Sequence, residues 1–355
     1  MKCYLKFKAG PHTLSIVREE RLKPEMVGVF AAPAGGPKWF VSVGFDKALI
    51  SSGFLGRGER RVLLAGSSAG AWRCLAMACI DPMSAYENLR ITYSRNVFTR
   101  KHTPSTVAAA LRKNVSDFIK DEDIPRILDH PVYDLAVHTV RGKGPAASEK
   151  PASQGGALLV AAIMNAVSSA GMRIFFERVL FFSAREKPSF ARTFNGTAVK
   201  LTRDNLCMAA VATGSLPYLV RGVRDIPGAP PGAYRDGGLM DYQLNQDYHP
   251  PEGRLTLFFH YQDRIIPGWF DKPLKWRRPQ KGSLRTVLQV YPGPDFVKML
   301  PEGRLPSRKD FKIFVNNPSE RIRRWDDVSR LSEVLGEEFM NAVESNRIRE
   351  LVQPL

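Results

Sequence analysis

The sequence predicts an α/β fold in which a mainly parallel central sheet is flanked by helices. Two strand-turn-helix units occur early, one beginning at the apolar run 26–32 and the other at the apolar run 61–65. Short connections between buried strands and helices favour parallel pairing. At 355 residues, we expect a single domain (1–355) with a helical cap or insertion at about 100–200.

The composition is that of a soluble globular protein, but the charge is unusual. The chain is 44% hydrophobic and 25% charged, with a net charge of +17 and a sequence pI near 9.9. Such an excess of cations favours contact with a polyanion, either nucleic acid or an anionic lipid surface. A basic but merely solvated surface is the third interpretation, and composition does not separate the three.

The cysteines indicate a reducing compartment. Cys3, Cys74, Cys79 and Cys207 lack metal-ligand spacing, and three of them lie in apolar surroundings. We therefore predict reduced core residues without a disulfide framework. The first residues contain no secretory signal, so we expect a cytoplasmic protein, with no metal or organic cofactor implied.

Taken in order, the chain begins with a loose alternation over 3–17, which predicts an edge strand or a hairpin. The buried strand 26–32 follows. A helical face is then formed by Val41, Phe45, Ala48 and Leu49, and Gly53 is a suitable helix stop.

The middle of the chain is less regular. Helical patterns cover 84–98 and 106–120, and a polar loop covers 141–150. The uncharged stretch that ends at Arg173 is diluted by polar residues and glycines, so we predict a buried or lipid-facing helix rather than a spanning one. The aromatic run 174–182 is predicted to be a core element, since exposed aromatic clusters are the rarer case.

Two further strands are predicted at 255–259 and 312–315. Near the end, Asn317, Pro318 and Glu320 provide an N-cap, a first-turn proline and a capping-box acid. These signals predict a long helix that extends to Leu335.

The turn after strand 61–65 carries Gly66-Ser67-Ser68-Ala69-Gly70. The pattern of the following residues, to Ile80, predicts a largely apolar helix. Ser68 therefore falls at a strand-to-helix turn, the position of a nucleophilic serine. Gly66 and Gly70 permit a sharp turn, and the helix N-terminus directs N–H groups at a developing anion.

Four ordered segments resemble the patatin-like phospholipases. They are the Gly-Gly-Pro-Lys turn at 35–38, the serine turn at 66–70, the small-residue stretch 209–217 that ends in proline, and Asp-Gly-Gly at 236–238. The similarity covers about 26–80 and 205–245. It implies a patatin-like α/β hydrolase fold.

The resemblance also implies roles for individual residues. Ser68 becomes the nucleophile, Asp236 its partner in a catalytic dyad, and Gly35-Gly36 the oxyanion turn; Gly237 and Gly238 complete the acid's motif. Because Pro37 has no N–H, amide donors must come from Gly35, Gly36 or Lys38, with Ala69 a further candidate.

The implied activity is that of a lipid acyl hydrolase of the phospholipase A or lysophospholipase type, working through a Ser68 acyl-enzyme. Such chemistry requires a poorly solvated Asp236 hydrogen-bonded to Ser68. Two alternatives remain. One is a Ser-Asp-His triad completed by His249 or His260; the other is a lipid-binding protein whose oxyanion hole is impaired by Pro37 and Trp39.

A loop rich in aromatic and basic residues predicts a membrane contact. Tryptophan beside lysine and arginine is typical of the headgroup zone of an anionic bilayer. The same composition suits single-stranded nucleic acid, but no recognisable nucleic-acid module accompanies it. We therefore expect an acyl-lipid substrate and a peripheral contact with an anionic membrane, and no nucleic acid. The residues concerned are Trp269, Phe270, Lys275, Trp276 and Arg277.

Overall fold

The computed structural model describes residues 4–57, 60–99, 101–192, 194–243, 246–280 and 282–355. Within these ranges, eleven strands form one sheet. The strands are β1 (Leu5–Ala9), β2 (Val27–Ala32), β3 (Val62–Ser67), β4 (Tyr133–Gly142), β5 (Phe176–Phe182), β6 (Thr197–Lys200), β7 (Val223–Arg224), β8 (Ala233–Asp236), β9 (Leu255–Phe259), β10 (Val287–Pro292) and β11 (Val352–Pro354).

The sheet is mainly parallel. Its strand order is β11-β1-β10-β9-β2-β3-β4-β5-β6, with β8 paired to β4 and β7 paired to β8. From β10 through β9, β2 and β3 to β4 every neighbouring pair is parallel. Strands β1 and β10, and strands β4 and β5, pair antiparallel. The predicted α/β fold with a mainly parallel sheet is confirmed.

One edge of β4 carries two strands in succession. Tyr133 to His138 pairs with β3 in parallel, and Thr139 to Gly142 pairs with β8 antiparallel. Strand β3 therefore ends at Ser67 opposite His138, while β8 arrives from the other direction and ends at Asp236 opposite Thr139. The acid therefore lies at the end of an antiparallel strand. Strand β8 can pair there because β4 extends beyond the end of β3 and offers free backbone groups.

Helices cover the sheet and complete the core. They are α1 (Pro11–Glu19), α2 (Val43–Ser52), α3 (Ala69–Met77), α4 (Pro82–Arg95), α5 (Pro104–Phe118), α6 (Asp123–Leu128), α7 (Pro151–Val167), α8 (Met172–Phe175), α9 (Leu206–Ala212), α10 (Pro294–Met299), α11 (Asp310–Ile313), α12 (Pro318–Leu331), α13 (Glu333–Glu344) and α14 (Ile348–Leu351). The largest apolar cluster joins one face of the sheet, including Phe30, Leu64 and Leu257, to residues of α2, α3, α5 and α13.

The N-terminal pattern gives a strand followed by a helix. Strand β1 is not at the edge, since it lies between β10 and β11, and α1 excludes the hairpin. Pro11 starts α1 at its first turn, a position where its missing N–H costs nothing. Helix α2 ends at Gly53, whose φ of 61° is the left-handed cap expected of a helix stop.

The segment 100–200 contains more than helices. It supplies α5 to α8, but also β4, β5 and β6, so it builds part of the central sheet. The uncharged stretch forms α7, and most of the aromatic run forms β5, whose residues are buried except for the half-buried Glu177.

Two C-terminal expectations are wrong. Residues 312–315 are not a strand, because Lys312 and Ile313 end the short helix α11. The long helix is split at Ser332, whose hydroxyl accepts from the Gly44 amide at 2.8 Å and donates to Ser329 O at 2.6 Å. Asn317 does cap α12, accepting from the Glu320 amide.

Candidate active site

Ser68 occupies a strained turn between β3 and α3. Its backbone has φ 56° and ψ −131°, a conformation that a residue with a Cβ adopts only at a cost. The turn is held by Thr213, whose hydroxyl accepts from the Ser68 amide at 2.8 Å and donates to His138 O at 2.6 Å. The conformation places the Ser68 side chain at the end of β3, as in a nucleophile elbow.

Close packing at this turn requires small residues. A Cβ on Gly70 would lie 2.1 Å from Ala32 O, so only glycine lets the start of α3 approach the end of β2 this closely. Gly66, in β3, pairs with Ala32 in the adjacent strand. The elbow and the segment after β2 are therefore held side by side.

The structure brings Ser68 and Asp236 together. Ser68 Oγ donates to Asp236 Oδ2 at 2.8 Å, although the two residues are 168 positions apart. The other carboxylate oxygen accepts from the Gly238 amide at 2.8 Å. Ser68 is 8% exposed and Asp236 is 2% exposed, so the pair is largely removed from solvent.

Burial changes the proton affinity of the acid. It raises the pKa of Asp236 from 3.8 to about 6, against the opposing effects of Arg308, the Gly238 amide, the Ser68 hydroxyl and Lys272. Burial dominates because the ionised form loses more solvation than these partners restore. A carboxylate with this pKa is a better proton acceptor than an exposed aspartate and is still ionised at neutral pH.

Three amides near the serine have no internal acceptor. Among the described residues, the N–H groups of Gly35, Gly36 and Ala69 donate to no oxygen. The Lys38 amide differs, since it donates to Gly35 O at 3.4 Å. Gly36 has a φ of 53°, which turns the chain back after β2. Unpaired amides next to a serine are the donors that an oxyanion hole requires.

The residue at position 39 belongs to the core. Trp39 is fully buried; its ring stacks on Phe40 at 4.8 Å between centroids and meets the edges of Tyr86 and Tyr93. A bulky side chain is accommodated there because it points into the apolar cluster beneath the sheet. Pro37 is buried as well.

In the part of the chain that the structure describes, the Ser68 hydroxyl donates to an aspartate and not to a histidine. The His260 ring contacts Gln262 O through Nδ1, and burial lowers its pKa to about 3. The His249 ring nitrogen lies 3.5 Å from Asp247 Oδ2. Asp236 instead accepts directly from the Ser68 hydroxyl, which favours a dyad over a triad.

Two cations near the acid were not anticipated as site residues. The charges of Arg308 and Lys272 both act on Asp236; Lys272 lies between Phe270 and Lys275 of the predicted membrane loop, and Arg308 belongs to no motif. A Cβ on Gly36 would lie 3.2 Å from Arg308 Nε. Both side chains come from irregular segments, and no sequence pattern could have located them.

The residues of the predicted membrane loop differ in their exposure to solvent. Trp269, Phe270 and Arg277 are half-buried, whereas Lys275 and Trp276 are exposed. The Trp269 and Phe270 rings meet edge to face at 5.1 Å. Arg277 donates to backbone oxygens of α7, including Ala166 O at 3.3 Å. These hydrogen bonds attach the loop to α7. The Trp276 side chain remains 68% exposed to solvent.

The described cysteines are unpaired. Cys74 and Cys79 are buried and Cys207 is half-buried, while Cys3 lies outside the described residues. Over the same ranges of chain, no group of three acidic, histidine or cysteine side chains could hold a metal ion. No described helix has the length and apolarity needed to cross a bilayer.

Comparison with protein-family models and with curated sequences gives no match. Among solved structures, human GIVD cytosolic phospholipase A2 is similar over 95% of this chain, with a TM-score of 0.43 and 11% identity. The chain spans 63% of the length of that structure.

Proposed function

We propose that this protein is a serine hydrolase that cleaves carboxylic esters of acyl lipids, with Ser68 as nucleophile and Asp236 as base. The observation that carries the proposal is the 2.8 Å hydrogen bond from Ser68 Oγ to Asp236 Oδ2 inside a buried site. The raised pKa of Asp236 gives this contact a chemical use. A carboxylate whose only role was to accept from the Gly238 amide in its turn would not require a hydrogen bond from the Ser68 hydroxyl.

The reaction proceeds in two steps. Ser68 Oγ attacks the ester carbonyl carbon while its proton passes to Asp236, and the oxygen that becomes negative is held by the amides of Gly35, Gly36 and Ala69. The bond to the alcohol then breaks, and the alcohol leaves with the proton from Asp236. Water attacks the acyl-enzyme in the same way, releasing the carboxylic acid and restoring Ser68.

The assignment to acyl lipids is supported by the resemblance to patatin-like phospholipases and by an exposed apolar surface. This surface, called the α7 face here, consists of Leu159, Val160, Ile163, Val167, Ile174 and Trp276, each at least 46% exposed. A contiguous apolar surface of this kind marks a binding site more often than ordinary protein surface does.

We propose that the α7 face docks on an anionic lipid bilayer. Four exposed basic residues adjoin these apolar residues along the chain: Lys150 precedes α7, Arg173 precedes Ile174, and Lys275 and Arg278 lie on either side of Trp276. In a chain with a net charge of +17, cations around an apolar face with an outward tryptophan match the headgroup zone of an anionic membrane. Leu239, three residues after the acid, packs in the same cluster as the inner face of α7, so docking would occur close to the dyad.

An activity-based fluorophosphonate probe tests the chemistry. We expect it to label the wild-type protein and not Ser68→Ala. Ser67→Ala is the matched control, because the Ser67 hydroxyl is buried without a partner in the described structure and should be dispensable. Absence of labelling in folded wild-type protein would favour the alternative, a lipid-binding protein with an impaired oxyanion hole.

Vesicle flotation tests the docking. We expect the protein to float with vesicles that contain phosphatidylserine at low salt, and less with purely zwitterionic vesicles or at high salt. Ile163→Asp should abolish flotation, whereas Ile80→Asp should not, although both isoleucines are 59% exposed. If wild-type protein stays with the soluble fraction at low salt, the docking proposal is wrong.

A further inference from the structure

Three cationic side chains from separate segments lie at or beside the oxyanion turn and Tyr242. Lys38 follows the oxyanion turn, Lys272 follows Trp269, and Arg308 precedes α11. Burial lowers the pKa of both lysines; the charge of Arg308 lowers both further, and the charge of Lys38 adds to the effect on Lys272.

Packing fixes where the cations lie. Lys272 Nζ is 4.1 Å from the centroid of the Tyr242 ring and 5.1 Å from that of Trp269, contacts that hold an ammonium group in place. Tyr242 is anchored beside the oxyanion turn, because its carbonyl accepts from the Ala34 amide at 2.9 Å. Arg308 lies against Gly36 in the same turn. Lys272 and Arg308 are therefore both placed beside the oxyanion turn that Lys38 follows.

The cluster lacks matching acids. In the described parts of the chain, none of the three cations forms an ion pair with a carboxylate. Lys38 Nζ has only the neutral Gln262 Oε1, at 3.5 Å, and Asp236 is the carboxylate that acts on Lys272. Half-buried like charges destabilise each other unless an anion lies among them.

We propose that Lys272 and Arg308, together with Lys38, form a subsite for a phosphate monoester carried on the alcohol part of the acyl ester. The inference rests on the proposed hydrolase function and names its substrate class. A phosphate monoester carries a charge of about −1.5 to −2 at pH 7, which matches three cations and one carboxylate. A headgroup that ends in a quaternary ammonium would instead bring a fourth cation to this cluster.

Two soluble esters with the same short acyl chain test the subsite without involving membrane docking: monobutyryl glycerol phosphate and neutral monobutyryl glycerol. We expect wild-type protein to prefer the phosphate ester in kcat/KM. Lys272→Gln and Arg308→Gln should each lower kcat/KM for this ester by about tenfold to a hundredfold, the loss of one charge-assisted hydrogen bond. Both variants also remove a charge that acts on Asp236, so hydrolysis of the neutral ester should fall as well, but by much less than that of the phosphate ester; the ratio of the two kcat/KM values measures the subsite.

Lys309→Gln serves as the control, because Lys309 is adjacent to Arg308 but exposed, and it should retain the preference. If Lys272→Gln and Arg308→Gln lower kcat/KM equally for both esters, these residues have a structural role and do not bind the phosphate. Hydrolysis of both esters by the wild type without preference would contradict the subsite and leave the proposed function standing.

Direct binding separates the subsite from catalysis. In Ser68→Ala protein, titration with glycerol 3-phosphate followed by ³¹P NMR should show saturable binding that Lys272→Gln removes. If the wild type hydrolyses neither ester but this binding occurs, the proposed function fails and the anion site stands. Binding of inorganic phosphate without glycerol 3-phosphate would identify a free-phosphate site and overturn the proposal.

Discussion

Replacing Asp236 with asparagine is expected to abolish hydrolysis and also to stabilise the folded protein at neutral pH. The carboxyl is 2% exposed and its pKa is raised from 3.8 to about 6. That change corresponds to about 3 kcal/mol of folding free energy. Asparagine preserves the shape of the side chain, keeps an oxygen for the Gly238 amide and carries no charge.

The pH dependence has a definite sign. The folded state binds the proton of Asp236 more tightly than the unfolded chain does, so the wild type loses stability as pH rises from about 4 to about 6. Below pH 4 the acid is protonated in both states, and the penalty disappears. The difference in free energy of unfolding between Asp236→Asn and wild type should thus grow from near zero to about 3 kcal/mol.

Urea unfolding followed by tryptophan fluorescence at several pH values from 4 to 8 measures this difference. Asp241→Asn is the control: Asp241 is also buried, but its Oδ2 pairs with Arg178 Nε at 2.8 Å. Removing that charge leaves a buried arginine unpaired and should cost about 3–5 kcal/mol. A less stable Asp236→Asn protein at pH 7, or a difference that does not vary with pH, would refute the catalytic interpretation of Asp236.

Three further predictions concern the pH profile of the reaction, the turn at Ser68 and a buried ion pair in the core. The kcat/KM for a neutral soluble ester should rise with pH and level off above about 6, because Asp236 must be ionised to accept a proton; a profile that is flat from pH 5 to 8 would contradict this. Thr213→Val should lower the free energy of unfolding in urea by about 1–3 kcal/mol and reduce kcat, since the Ser68 amide loses its acceptor, whereas Thr213→Ser should retain both. The buried Arg73 donates two hydrogen bonds to Asp46, at 2.6 and 2.8 Å. Asp46→Leu should therefore destabilise the fold by about 3–5 kcal/mol, because it leaves this arginine buried without a carboxylate partner. Adding Arg73→Met should recover most of that loss in thermal unfolding, and a double variant as unstable as the single one would count against the pairing argument.

Local patterns predicted the fold class and the places where the site residues fall. Apolar runs followed by glycine turns located β2, β3 and their helices, since this signal needs only neighbouring residues. Ser68 and the turn at Gly35 are strand-end positions for the same reason. Roles for these residues remain predictions that the experiments above address.

Features that depend on contacts between distant segments could not be predicted. The run that ends at Val315 is short and apolar, a pattern shared by strands and helices. It is helical at its start because Asp310 accepts from both the Ser307 amide, at 2.9 Å, and the Trp325 indole, at 3.0 Å. Likewise, Arg308 reaches the active site only through the packing of an irregular segment on Gly36.

Strands β3 and β8 pair with the same edge of β4, and this pairing brings the nucleophile and the acid together at one place in the sheet. Ser67, which precedes the nucleophile, and Asp236 pair with neighbouring residues of β4, His138 and Thr139. Connecting segments other than the one around Thr213, which holds the Ser68 turn, can therefore lengthen or shorten without moving either group. A slip of β8 by a single residue would turn Asp236 to the opposite face of the sheet. Insertions that change substrate selectivity are therefore expected between these strands. Inside β8, we expect an insertion or deletion to keep Asp236 on the same face of the sheet only when it involves two residues.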